Sequence, residues 1–182
     1  MFKNLTRRKE TRKKAEKLYQ LIVERTRTPV FYEVFEVPDT VEGRFELLSL
    51  HAFLILQRLK QEGEGAAELS QATFDVMFEN VDLNLREVGI GDIGLARRIK
   101  KMAEGFYGRV EAYEQAVEAE DSKALKAALE RNLYGKPDTS EGSLEAISGY
   151  VMGCSQKLSV LPIEKMLSGE EVYAAIPREI RV

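Results

Sequence analysis

Apolar residues recur along this chain at three- and four-residue steps, so the pattern predicts helices from end to end. Phe74, Met77, Phe78, Val81, Leu85 and Val88 make the clearest single-faced stripe, and Ser70 suits the N-cap of its helix. Ile99, Met102, Ala103, Phe106, Val110, Tyr113 and Val117 carry the same period to about residue 119. Between them lies a corner in which Gly89 suits the left-handed residue past a helix end and Asp92 the next N-cap. The stretch from Phe45 to Leu56 is apolar almost all round, which marks a buried central helix. Asp39 and Glu42 stand at capping-box spacing ahead of it, and the Gly63–Gly65 loop ends it. Asp121 caps a shorter helix that closes at Gly135; Ser140 or Ser143 opens the stripe Leu144, Ile147, Val151, Cys154 and Leu158. Pro162 begins a last short helix that stops at Gly169.

Two places depart from this period. Pro29 and Pro38 bracket a run rich in β-branched and aromatic residues for which no partner strand follows, so an extended segment at about 29–39 is expected to lie across helices. Gly105 and Gly108 sit one turn apart inside a helix, a cost that close approach of another helix would compensate. The whole predicts an all-α fold, a single-domain bundle of six or seven helices. An N-terminal helical arm covers 1–28, the helical body 29–169, and an extended tail 170–182. Only the second half of the arm, at Leu18, Leu21 and Ile22, has a face to dock; the first half is expected to project.

Charge sharpens the view of that arm. Residues 1–17 hold eight cations against two carboxylates, a net +6, which leaves −9 for the rest of a chain whose total is −3. A basic head on an acidic body suits contact with phosphate, and Arg7, Arg8, Lys9, Arg12, Lys13 and Lys14 are its candidates. The surface they touch is the ribosome or an anionic membrane; a solubilising role is the alternative. Arg97 to Lys101 form a second basic cluster without interleaved aromatics, which suits a solvated or protein-binding face better than nucleic acid. No secretory h-region follows the N-terminal cations.

Candidate chemistry is sparse. One cysteine and one histidine exclude an internal disulfide, zinc sites built from several thiolates, and paired-histidine metal motifs. His51 shares a helix face with Leu47, Leu48, Leu54 and Ile55, so it is expected to be buried and hydrogen-bonded, a structural group. Cys154 reads as an inert core hydrophobe. Asp75, Glu79, Asp82 and Arg86 form a charged stripe that reads as a solvated or docking face, with Arg86 paired to Asp82 or Glu79. No catalytic residue, metal ligand or cofactor motif stands out. Asp82, Arg86, Glu87 and Asp92 are not needed to pack a core, so they are the candidates for partner contact at the corner. Phe31 and Tyr32 either anchor the core or line a client groove.

Several ordered blocks resemble the ubiquinol–cytochrome c chaperone family: Val37-Pro38-Asp39-Thr40, Phe45-x-Leu47-Leu48-x-Leu50-His51, Arg58-Leu59-Lys60, and the corner Asn84 to Asp92. Ile99-Lys100-Lys101-Met102 and Phe106-Tyr107-Gly108-Arg109 continue the likeness, which spans roughly residues 30 to 160. The resemblance implies a non-enzymatic chaperone without a cofactor. It would bind newly made cytochrome b near the ribosomal exit and support assembly of respiratory complex III, together with a small partner subunit. The absence of the long targeting extension of mitochondrial members fits a bacterial homologue, cytoplasmic and peripheral on the inner-membrane face; a eukaryotic one would work on the mitochondrial matrix side. A ribosome- or RNA-binding adaptor acting through the arm, without a cytochrome client, is the competing expectation.

Overall fold

The computed structural model describes residues 2–87, 89, 91–135, 139–169 and 172–176; the side chains of 2–5, 92 and 93 lie outside that description. Among the described residues every regular element is helical: α1 (Phe2–Thr26), α2 (Val30–Glu33), α3 (Val41–Gln61), α4 (Glu64–Glu87), α5 (Asp92–Glu118), α6 (Ser122–Leu129), a π-helical turn (Glu130–Tyr134), α7 (Glu141–Val160) and α8 (Ile163–Ser168). The all-α expectation holds. The nearly all-apolar α3 is the hub, packed against α1, α4, α5, α7 and the π turn. Leu47, Leu50, Ala52, Phe53, Leu54, Ile55 and Leu59 are all buried, which a helix achieves only with neighbours on every side.

The segment expected to be extended at about 29–39 is instead a helical turn followed by irregular chain from residue 36. Val34 and Phe35 both donate their N–H to the Val30 carbonyl, at 3.0 Å each. A strand facing Phe31 and Phe35 inward would bury Glu33 between them, since alternate residues share a face. One helical turn buries both phenylalanines and leaves Glu33 exposed. Glu36 then takes a left-handed φ of 58°, unusual for a residue with a Cβ. Its carboxylate accepts from the Ser140 and Ser143 hydroxyls at 2.8 and 2.7 Å, at the N-terminus of α7.

Three starts differ from expectation. Thr40, not Asp39, caps α3, accepting from the Gly43 N–H at 3.0 Å, while Asp39 pairs with Arg44. Ser70 lies inside α4, because Gly63 at φ +71° reverses the chain in one residue and the next helix begins at once. At the corner, Gly91 is the N-cap of α5 with no side-chain cap, and Asp92 is the first helical residue. Gly89 takes the left-handed conformation expected of it, at φ +88°. Asp121 caps α6 and Ser140 caps α7, each accepting from the N–H three residues on.

The two glycines within α5 do not receive another helix. A Cβ at Gly105 would meet the Arg109 side chain of the same helix at 2.5 Å, and one at Gly108 would meet nothing within 4 Å. The glycine that admits close backbone approach is Gly43, where a Cβ would stand 2.0 Å from the Pro38 carbonyl oxygen. The incoming chain crosses the first turn of α3 there. Gly43→Ala is therefore expected to cost about 1–3 kcal/mol through forced backbone displacement. Gly108→Ala should be neutral or stabilise by up to about 1 kcal/mol. Urea unfolding of the two variants checks this; equal stability of Gly43→Ala and the parent chain would overturn it.

Candidate functional site

Two of the candidate residues separate at once. Phe31 is fully buried, so its place as a partner-binding residue is corrected to core anchor. Its ring meets Phe35, His51 and Tyr150 edge-on, with centroids 5.7, 5.1 and 5.3 Å away. Tyr32, the next residue, points the other way and lines an open groove.

His51 sits in the same aromatic cluster, wholly buried as expected. Its Nδ1 lies 2.9 Å from the Leu47 carbonyl, which can only accept, so Nδ1 carries the proton. Nε2 therefore accepts from the Tyr150 hydroxyl at 3.0 Å, and Arg25 Nε donates to that hydroxyl at 2.8 Å. The Arg25 guanidinium also lies over the rings of Tyr150 and Tyr173, 5.2 and 5.4 Å from their centroids. The same guanidinium donates to the Ala174 carbonyl, whose residue donates its N–H to Cys154 Sγ at 3.3 Å. Burial pushes the His51 pKa down to about 3, against the weaker opposing effect of the Leu47 carbonyl. The only imidazole is thus a neutral structural link between α1, α3, α7 and the chain at 172–176. Cys154 is buried, and burial raises its thiol pKa, which keeps it unreactive.

The groove beside Tyr32 has a volume of about 330 Å³ and lies between the end of α1, α2, the start of α3 and the end of α4. Phe45, Leu48, Val81, Leu85 and Met102 give it an apolar floor; Arg27, Arg44, Asn84 and Glu87 stand at its edge. Tyr32 is held in its wall by donating to the Thr26 carbonyl at 2.8 Å and by Arg44, 5.5 Å above its ring. Val41 adds an apolar side chain that is 52% exposed, more than an isolated core helix needs at its first position. Of the partner-contact candidates at the corner, Glu87 lines this groove. Asp82 and Arg86 pair with each other at 2.7 Å along α4, and the Asp92 side chain lies outside the described residues. Sequence reading missed Val41, Arg27 and Asn84. Their separation along the chain hides the groove, although an apolar side chain at the first, exposed turn of α3 was a usable signal.

The basic arm does not stand off the body. Ala15, Leu18 and Ile22 of α1 are fully buried, and Arg7 and Arg12 pair with Glu68 and Glu79 of α4, each at 2.6 Å. Part of the acidic stripe on α4 is therefore the docking face for α1 itself. Arg8, Lys9, Lys13 and Lys14 remain exposed. In the second basic cluster Arg98 pairs with Glu42 at 3.0 Å. Among the described residues no three His, Cys, Asp or Glu side chains gather as a metal ion would require, and no helix is long and apolar enough to cross a membrane.

Residues 33–173 match the family model described as ubiquinol-cytochrome C chaperone. The chain is 32% identical over 158 residues to the ubiquinol-cytochrome-c reductase complex assembly factor 1 of Xenopus laevis, covering 86% of this chain and 78% of that protein. To the human protein of that name it is 28% identical over 156 residues, and it spans only 52% of that relative's length. A crystal structure of the Cbp3 homolog from Brucella abortus superposes with a TM-score of 0.82 at 40% identity, over 97% of this chain and 98% of the other.

The buried imidazole has a measurable consequence. With a folded pKa near 3 and an ordinary unfolded value of 6.5, folding binds His51 only in its neutral form. Its contribution is complete above pH 6.5 and is lost as pH falls towards 3. Between pH 7 and 5.5 the loss should be about 1.3 kcal/mol, above the range in which ordinary carboxylates titrate. Urea unfolding at both pH values measures it. His51→Gln should be less stable at pH 7 yet nearly flat across this interval; an unchanged pH slope in that variant would show that another group carries the effect.

Proposed function

Because the chain belongs to the ubiquinol–cytochrome C chaperone family, we propose that it is a non-enzymatic assembly factor of the ubiquinol–cytochrome c reductase complex, with cytochrome b as its client. The observation that supports this most is the extent of the family match, which takes in the helical body and most of the corner groove's lining together. The groove supports the same reading. An open apolar floor with both signs of charge at its edge suits a transient protein contact, in which an apolar client segment is held until its own partners arrive.

Exposed Arg8, Lys9, Lys13 and Lys14 extend the proposal to where the protein works. They lie on the helix whose Arg7 and Arg12 pair with α4, and they remain available to phosphate on a ribosome or on an anionic bilayer. On this reading 1–28 is the locating arm, 29–169 the client-holding body and 170–182 its tail. A small partner subunit would share the corner, where Asp82, Arg86, Glu87 and Asp92 follow one another.

In a strain deleted for this chain, the cytochrome b absorbance band and assembled complex should be lost while the cytochrome b transcript persists. A deletion strain with a normal band and normal complex would refute the proposal. Reintroducing Val41→Asp should leave the protein folded, since Asp suits a helix N-terminus, yet restore less complex than the parent chain.

A further inference from the structure

A second cleft lies at the other end of α4, away from the corner. It has a volume of about 460 Å³ and opens between the end of α3, the start of α4 and the middle of α5. Phe74, Phe106, Val110 and Leu56 form its apolar surface, and Tyr107 forms its lip. The Tyr107 ring stacks on Phe74 at a centroid distance of 5.2 Å and an interplanar angle of 29°, yet the residue is 56% exposed. An aromatic held rigid by stacking but left open on its outer face is the type of side chain that anchors protein contacts.

The charge around this cleft is net negative, with Glu64, Glu114 and Glu118 against Lys60. Lys60 is the only basic residue of its lining, and Glu114 already holds it at 2.7 Å. Glu118 lies close enough to add its field to that lysine, and Glu64 lines the opposite wall. Glu114 is held by Lys60, and Glu64 sits in the first turn of α4, where the helix dipole favours an acid; Glu118 has neither support. The last turn of α5 carries no basic residue, and Glu118 there, followed by Glu120, faces the negative end of the helix dipole. A net acidic rim, with Glu118 kept where its helix disfavours it, next to an open aromatic floor, calls for positive charge from outside.

We infer that this cleft binds the end of an apolar helix flanked by Lys or Arg, with the apolar turn on Tyr107 and Phe74 and the cations against Glu64, Glu114 and Glu118. Membrane-spanning helices end this way on the side where they carry their positive residues, so the occupant fits the membrane-proximal end of a client helix. The inference rests on the reading above that the client belongs to a membrane complex. The cleft is separate from the corner groove, so one client could be held at two points.

The test uses the full chain and a short fluorescein-labelled helical peptide with a Leu/Phe face and a Lys/Arg-rich end, followed by fluorescence polarisation. Binding should weaken with salt, and Tyr107→Ser and Glu118→Lys should each reduce affinity by about tenfold. A peptide whose cations are replaced by Glu should not bind. Equal binding of the charge-reversed peptide, or full affinity in Tyr107→Ser, would overturn the inference. Sedimentation showing that a second copy of the chain fills the cleft, with dimers lost in Tyr107→Ser, would also overturn it. The assembly role is read separately in the deletion strain: normal complex there with intact peptide binding refutes only the proposed function, and the reverse pair refutes only this cleft.

Discussion

The fold turns on burying an imidazole without charging it. His51 lies at the centre of α3, where no water reaches it, so both ring nitrogens must find partners inside the protein. One is satisfied by its own helix, through the Leu47 carbonyl; the other needs a donor from elsewhere, and Tyr150 of α7 supplies it. That hydroxyl in turn is oriented by Arg25 of α1, and Arg25 also holds the Ala174 carbonyl. A single neutral ring therefore sets the mutual position of α1, α3, α7 and the chain that follows α8. An apolar core alone would not specify this so narrowly, because hydrophobic contact has no direction whereas each hydrogen bond does.

The open surfaces follow from that arrangement. Fixing α1 on α3 and α4 consumes Arg7 and Arg12 in ion pairs with α4, which are worth little to stability because they are exposed. It leaves Arg8, Lys9, Lys13 and Lys14 on the outside. The same docking brings the end of α1 beside Tyr32 and the start of α3, so the corner groove is formed by five helices, α1 to α5, that meet only after the core is assembled. At the far end of α4, the end of α3 and the middle of α5 leave a cleft with half-buried Phe74 in its wall and exposed Tyr107 at its lip. Both clefts keep apolar surface open and are edged by charge, which opposes aggregation.

Some of this was legible in the chain. Three- and four-residue spacing determined the all-α class, the apolar circumference of Phe45–Leu56 determined which helix is central, and the surroundings of His51 determined that it is buried. The left-handed glycines at 89, 135 and 169 and the caps Asp121 and Ser140 were legible because each is a local matter, settled within a few residues. The ordered blocks from Val37 to Arg109 were sufficient to indicate the family. Other features needed the tertiary structure, because they depend on what lies opposite. Val30–Glu33 has the composition of a strand but forms a helical turn, since only that geometry buries Phe31 and Phe35 without Glu33. Gly43 is required by the Pro38 carbonyl that crosses it, whereas Gly105 and Gly108, more conspicuous in the sequence, receive no helix. Likewise Phe31 and Tyr32 are alike in the sequence, but the direction of one helical turn puts the first in the core and the second in the groove. Periodicity reports which face of an element is apolar; it does not report whether a neighbour covers that face, and on that coverage the location of both clefts depends.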